Sequence, residues 1–160
     1  MRPTKFGVGQ SVKRVEDVRL VSGRGNYASD AVDKAELRAV FLRSPYGHAR
    51  FRVDDLEAAR AAPGVRAVYV AGDFADLGGL PCLGGVDNAD GSETPLKPYP
   101  VMAVDEAHHV GDIVAMAVAD TTLQARDAAE LISVTWEELP AAADMEEAIR
   151  PGAPQDERLP

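Results

Sequence analysis

The stretch LRAVFLRSPYGHARFRVD, residues 37–54, decides how the rest of the chain is read. Leu37, Ala39 and Phe41 alternate with Arg38, Val40 and Leu42, the period of a strand. Ser44-Pro45-Tyr46-Gly47 is turn chemistry, with Pro45 fixing φ at the second position and Gly47 closing the turn. His48–Asp54 alternates again, placing Ala49, Phe51 and Val53 on one side. The pattern predicts a β-hairpin with the four-residue turn at its tip.

Outward from this pair the period changes. Residues 54–64 carry Asp54 three residues before Glu57, a capping-box spacing, then helix formers and a Pro-Gly stop. Residues 65–72 read as a strand and 73–77 as one helical turn. Residues 78–100 form a Gly-, Pro- and Asp-rich loop of a length that usually has a function or a covering partner. Residues 107–120 read as a strand bent at Gly111. Residues 121–132 predict a helix opened by Thr121, with a buried stripe of Leu123, Ala128, Leu131 and Ile132. A strand over 133–140 and a short capped helix over 144–149 follow. Residues 1–30 show no sustained period and predict an extended arm with short strands at most. Strands and single helices alternate without a repeating βα rhythm, which predicts an α+β fold and not a doubly wound sheet.

Composition narrows the function. At 160 residues, 46% apolar and 27% charged, the chain reads as one soluble domain able to bury a core. A net charge of −9 argues against nucleic acid and against anionic membranes, both of which need a basic footprint. The N-terminus lacks an apolar core of signal-peptide type and no stretch has transmembrane length, so a cytoplasmic location is expected. A single cysteine, Cys82, excludes a disulfide framework within the chain.

Several residues invite chemical readings. Ser44 and His48 across a tight turn resemble two members of a nucleophilic triad, flanked by Arg43 and Arg50. Ser-Pro at a turn corner is also ordinary loop chemistry, and no nucleophile-elbow glycine pattern accompanies it. Residues 23–28, GRGNYA, fit the dinucleotide fingerprint, but no helical stripe follows and Leu42 and Arg43 stand where an acid is needed. His108 and His109 are adjacent, so on a strand they face opposite sides and cannot chelate one ion together; no spacing brings acids to them or to His48. Asp17, Asp30, Asp105 and Asp112 lie near glycines or turns, where carboxylates accept backbone hydrogen bonds. Glu137 and Glu138 flank Trp136 at a strand end and read as a solvated edge. Cys82 has no accompanying base. No catalytic, cofactor-binding or metal-binding constellation is assigned.

Residues 9–30, 41–51, 62–74 and 103–144, taken in this order, resemble the N-terminal region of the molybdopterin-binding large subunit of the molybdenum hydroxylases. That family includes xanthine dehydrogenase, aldehyde oxidase and carbon monoxide dehydrogenase. The resemblance implies an α/β-hammerhead domain, a mixed sheet with hairpins and two to three helices. It implies an arm over 1–30, the hammerhead domain over 31–149 and a linker over 150–160 leading to a molybdenum-binding region. It further implies an oxidoreductase whose molybdenum cofactor, iron–sulfur clusters and FAD lie on other domains or subunits, with no cofactor and no turnover in this chain. The implied partners are the remainder of the large subunit, an iron–sulfur subunit and an FAD subunit. Arg14, Asp17 and Arg24 of the arm are where contact with them is expected. The alternative expectation is a stand-alone small-ligand-binding or regulatory module on the same fold.

Overall fold

The computed structural model describes residues 13–154 except 32, 34, 82, 83, 86, 88 and 94–97, with Ser29 described by its backbone. The chain divides into two units, Met1–Glu36 and Leu37–Pro160.

In the first unit, α1 spans Asp17–Val21. Asp17 in its first turn and Arg19 in its last both complement the helix dipole. The Ser22 hydroxyl donates to the Val18 carbonyl at 2.6 Å and closes the C-terminal end. A 3₁₀ turn over Ala28–Asp30 follows, where the Tyr27 N–H donates to Asp30 Oδ2 at 2.9 Å. The extended arm expected over these residues is thus corrected to a short helix and a turn. Five helical residues are too few to reveal a period in the sequence.

In the second unit, β1 (Arg38–Arg43), β2 (Ala49–Asp55), α2 (Glu57–Arg60) and β3 (Val65–Val70) lead through a 3₁₀ segment, Ala71–Leu77. Two short strands, β4 (Gly79–Leu80) and β5 (Tyr99–Pro100), pair with each other and pin the ends of the long loop. Then come β6 (Glu106–Ala107), β7 (Ile113–Ala119), α3 (Thr122–Glu130), β8 (Ser133–Glu138) and α4 (Met145–Ala148). The strands form two three-stranded sheets, ordered β1-β7-β3 and β6-β2-β8, and every pairing among the described residues is antiparallel.

The predicted hairpin does not form, because β1 and β2 belong to different sheets. The cause lies in β7, whose run IVAMAVA is the most apolar of the chain. Ala115, Ala117 and Ala119 are fully buried on one face and Val114 on the other, while Met116 and Val118 are half-buried, and so apolar a strand takes a partner on each edge. It takes β1 on one side, with Phe41 opposite Met116, and β3 on the other, with Tyr69 opposite Met116. The turn at residues 44–47 then carries the chain out of this sheet and into the next.

α3 lies over β1 and β7. Thr121 caps it, its hydroxyl oxygen accepting the Gln124 N–H at 3.2 Å. The buried side chains are Ala125, Ala128 and Ala129, with Ile132 just beyond, while Leu123 and Leu131 are exposed. The predicted stripe is therefore rotated. Alanines on the helix meet alanines on β7, and small side chains on both faces allow close approach. The Asp54 cap expected for α2 is not formed, since the N-cap is Leu56 and makes no side-chain cap bond. Asp55 Oδ1 accepts the Glu57 N–H at 2.8 Å, whereas Asp54 turns to Arg52 and Thr135.

Candidate functional site

The 44–47 turn is fixed from within and from below. The Ser44 hydroxyl donates to the Tyr46 carbonyl at 3.0 Å and accepts the Tyr46 N–H at 3.1 Å. The Ser44 N–H donates to the Asp112 carbonyl at 2.8 Å, and the Ser44 carbonyl accepts from the Gly111 N–H at 2.8 Å. Gly111 meets this exchange at φ +92, a conformation that favours glycine. Arg43 Nη1 donates to the Gly111 carbonyl at 2.7 Å. Both functions of the serine hydroxyl are used by backbone, and His48 faces elsewhere.

His48 is engaged on both ring nitrogens. Nδ1 stands 2.9 Å from the Pro140 carbonyl, and Nε2 stands 2.6 Å from Glu106 Oε1. A carbonyl oxygen only accepts, so Nδ1 carries a hydrogen and Nε2 is the face turned to the carboxylate. His108 joins them: its ring stacks on His48 with centroids 5.7 Å apart, and its Nδ1 is 3.8 Å from the same Glu106 oxygen. The β2–β6 register explains the meeting. Ala49 opposes Ala107 and Arg50 opposes Glu106, so His48 and His108 adjoin the last pair of the ladder. Side chains two apart on a strand share a face, which puts Glu106 and His108 together. Ala49 and Ala107 point into the core; His48, Glu106 and His108 point the other way. Arg50 approaches the second oxygen of Glu106 from the same face, Nε to Oε2 3.8 Å.

Over His48 and His108 lies a cleft of about 270 Å³, walled by Gly47, Pro140, Ala141, Ala142, Ala148 and Pro154. The segment after β8 returns across the sheet to form this wall. The His48 carbonyl accepts the Leu139 N–H at 2.9 Å, and Asp144 Oδ1 caps α4 by accepting the Glu147 N–H at 2.7 Å.

The remaining residues singled out in the sequence are placed as follows. His109 is exposed, in the turn after β6 and beside Tyr99 and Asp112. Asp112 is buried and satisfied, accepting from the Tyr99 hydroxyl at 2.9 Å and the His108 N–H at 3.1 Å. Residues 23–28 run from the end of α1 into a 3₁₀ turn, not from a strand into a helix, so the dinucleotide geometry is not formed. Glu137 and Glu138 are exposed on β8, an edge strand. Cys82 lies outside the described residues. The His48–Glu106–His108 grouping was not legible in the spacing, since His48 and Glu106 are 58 residues apart. The available signal was Glu-x-His on a predicted strand, which becomes informative once that strand is known to pair with β2.

Known proteins supply the context for this geometry. The family profile described as "Aldehyde oxidase and xanthine dehydrogenase, a/b hammerhead domain" matches residues 22–140. The nicotine 6-hydroxylase large subunit of Paenarthrobacter nicotinovorans is 34% identical over 151 residues, covering 93% of this chain and 18% of that protein. The carbon monoxide dehydrogenase large chain of Afipia carboxidovorans is 37% identical over 150 residues, covering 92% of this chain and 17% of the relative. Among solved structures, quinoline 2-oxidoreductase from Pseudomonas putida 86 superposes with a TM-score of 0.81 at 38% identity, over 95% of this chain and 19% of that one. The chain thus spans less than a fifth of the length of each of these three proteins.

Proposed function

The chain belongs to the aldehyde oxidase and xanthine dehydrogenase a/b hammerhead domain family, and from that premise we propose that it is the leading structural domain of a molybdenum hydroxylase large subunit. In this reading it scaffolds the cofactor-bearing domains and makes subunit contacts, and the oxidation of substrate takes place elsewhere. The partners are the remainder of the large subunit, an iron–sulfur subunit and an FAD subunit.

The observation that carries the reading is apolar surface left uncovered. On α1 and just before it, Val15, Val18 and Val21 recur every third residue and are exposed by 97%, 69% and 86%. On α4 and just after it, Met145 and Ile149, one helical turn apart, are exposed by 86% and 83%. Single exposed apolar residues are ordinary, but stripes at helical spacing mark surfaces that another chain segment covers.

In this reading the molybdenum cofactor is held by other domains, which is consistent with no buried side-chain nitrogen or oxygen among the described residues being left without a hydrogen-bond partner. No helix among the described residues is long and apolar enough to cross a membrane.

The test is to read the coding DNA past the codon for Pro160. The expected result is an open frame of several hundred codons carrying molybdenum-cofactor segments. A stop codon there, with no separately encoded molybdenum-binding chain co-purifying with this one, would overturn the proposal.

A further inference from the structure

We propose that His48, Glu106 and His108 form a binding site for a divalent transition-metal cation of the zinc class. Two imidazoles and one carboxylate are the donor set that such ions take when one coordination position is left open. The three donor atoms already lie within 4.8 Å of one another. Donors around a four-coordinate zinc stand about 3.3 Å apart, given metal–ligand distances of about 2.0–2.1 Å. Closing the set needs only a rotation of His108 toward Glu106 and a slight parting of Glu106 from His48.

Three features make this more than a chance meeting of polar groups. First, the donors are held at the end of paired strands: His48 and His108 directly flank the Ala49–Ala107 pair of the β2–β6 ladder, and Glu106 lies within it opposite Arg50. Secondly, His48 has the outer support that ligating histidines use. Its Nδ1 donates to the Pro140 carbonyl at 2.9 Å, which fixes the ring and leaves Nε2 as the metal-facing atom. Thirdly, the site is half-buried, and His48 and His108 border a cleft walled by Gly47, Pro140, Ala141, Ala142, Ala148 and Pro154, none of which carries a charge. A water or a small anionic ligand could enter there and complete the coordination.

Arg50 stays on the other carboxylate oxygen, Oε2, at 3.8 Å, and holds Glu106 in place without occupying the donor oxygen.

The experiment uses the full chain, stripped with chelator and dialysed. Cobalt(II) titration followed by its visible absorption reports coordination directly, and zinc(II) calorimetry gives stoichiometry and affinity. The chain has three histidines and one cysteine, so His109→Asn and Cys82→Ser control for adventitious surface binding. One cation per chain is expected, with affinity unchanged by either control. His48→Asn, Glu106→Gln and His108→Asn should each weaken binding by at least about tenfold, since even outer-shell losses cost that much. Equal zinc affinity in wild type and in the His48→Asn/His108→Asn double variant would overturn the proposal. Should the histidine variants fail to fold by circular dichroism, the wild-type cobalt spectrum decides, and the absence of a visible band rejects the site.

Discussion

Ser44 is 2% exposed, and its hydroxyl both donates to and accepts from the backbone of Tyr46. Ser44→Ala therefore strands the Tyr46 N–H at a turn that joins two sheets. The expected cost is about 1–2 kcal/mol, from the lost hydrogen bond and the unpaired amide. It is read as a lower urea midpoint with an unchanged m-value. A change below about 0.5 kcal/mol, the scale of neutral surface substitutions, would show that the turn holds without the hydroxyl. Asp54 gives a pH-dependent counterpart. The Thr135 hydroxyl, donating at 2.6 Å, and then Arg52, at 2.8 Å, hold its carboxyl below the usual 3.8. A folded-state value below the unfolded one contributes stability at pH above about 4, lost as pH falls through the folded value. Thr135→Val removes the larger cause, so the Asp54 carboxyl should titrate at higher pH and less stability should be lost on acidification. A ¹³C NMR titration of that carboxyl checks the direction; an unmoved midpoint would leave Arg52 as the sole cause.

At the scale of elements, the sequence is most readable where a side chain answers to its own neighbours. The Thr121 and Asp144 caps and the alternation of Ala49, Phe51 and Val53 are all local, and each appears as expected. The single bent strand read over 107–120 is instead two strands, β6 and β7, in different sheets, with Gly111 at φ +92 in the turn between them. Pairing is not local. The alternation of residues 37–43 and 48–54 is equally compatible with a hairpin and with two strands in different sheets; the apolar strand β7, which takes β1 as its edge partner, settles the matter from more than sixty residues away. The same limit hid the grouping of His48 with Glu106 and His108. The orientation of α3 failed for a related reason. Leucines were expected inward by hydrophobicity alone, but β7 offers a face of Ala115, Ala117 and Ala119 against which only small side chains fit closely. Leu123→Ala should thus be nearly neutral, within about 0.5 kcal/mol, because Leu123 is 66% exposed. Ala128→Leu should cost about 1–3 kcal/mol by overpacking the helix against the sheet. Paired denaturation curves test the contrast; the reverse order would mean that α3 presents its leucine face inward.

At the scale of the whole chain, local stability should follow covered surface, and hydrogen exchange measures it residue by residue. β7 is paired on both edges and fully buried along its Ala115–Ala117–Ala119 face, so its amides should open only with global unfolding. β2, also central in its sheet, should rank next, since its outer face is only partly covered. α1 has five residues and buries none of them. A helix that short is not stable on nucleation and propagation alone, so in the isolated chain its amides should exchange nearly as fast as unstructured backbone. The scaffold reading adds a second half to this prediction. When the chain is part of an assembled hydroxylase, the Val15–Val18–Val21 stripe is covered and α1 should become protected, whereas β7 should change little because it is already closed. Fast α1 exchange in both states would leave the stripe without an occupant and remove the chief support for a contact role there. Slow α1 exchange in the isolated chain would mean instead that this helix is stabilised within its own unit, and the exposed valines would need another explanation.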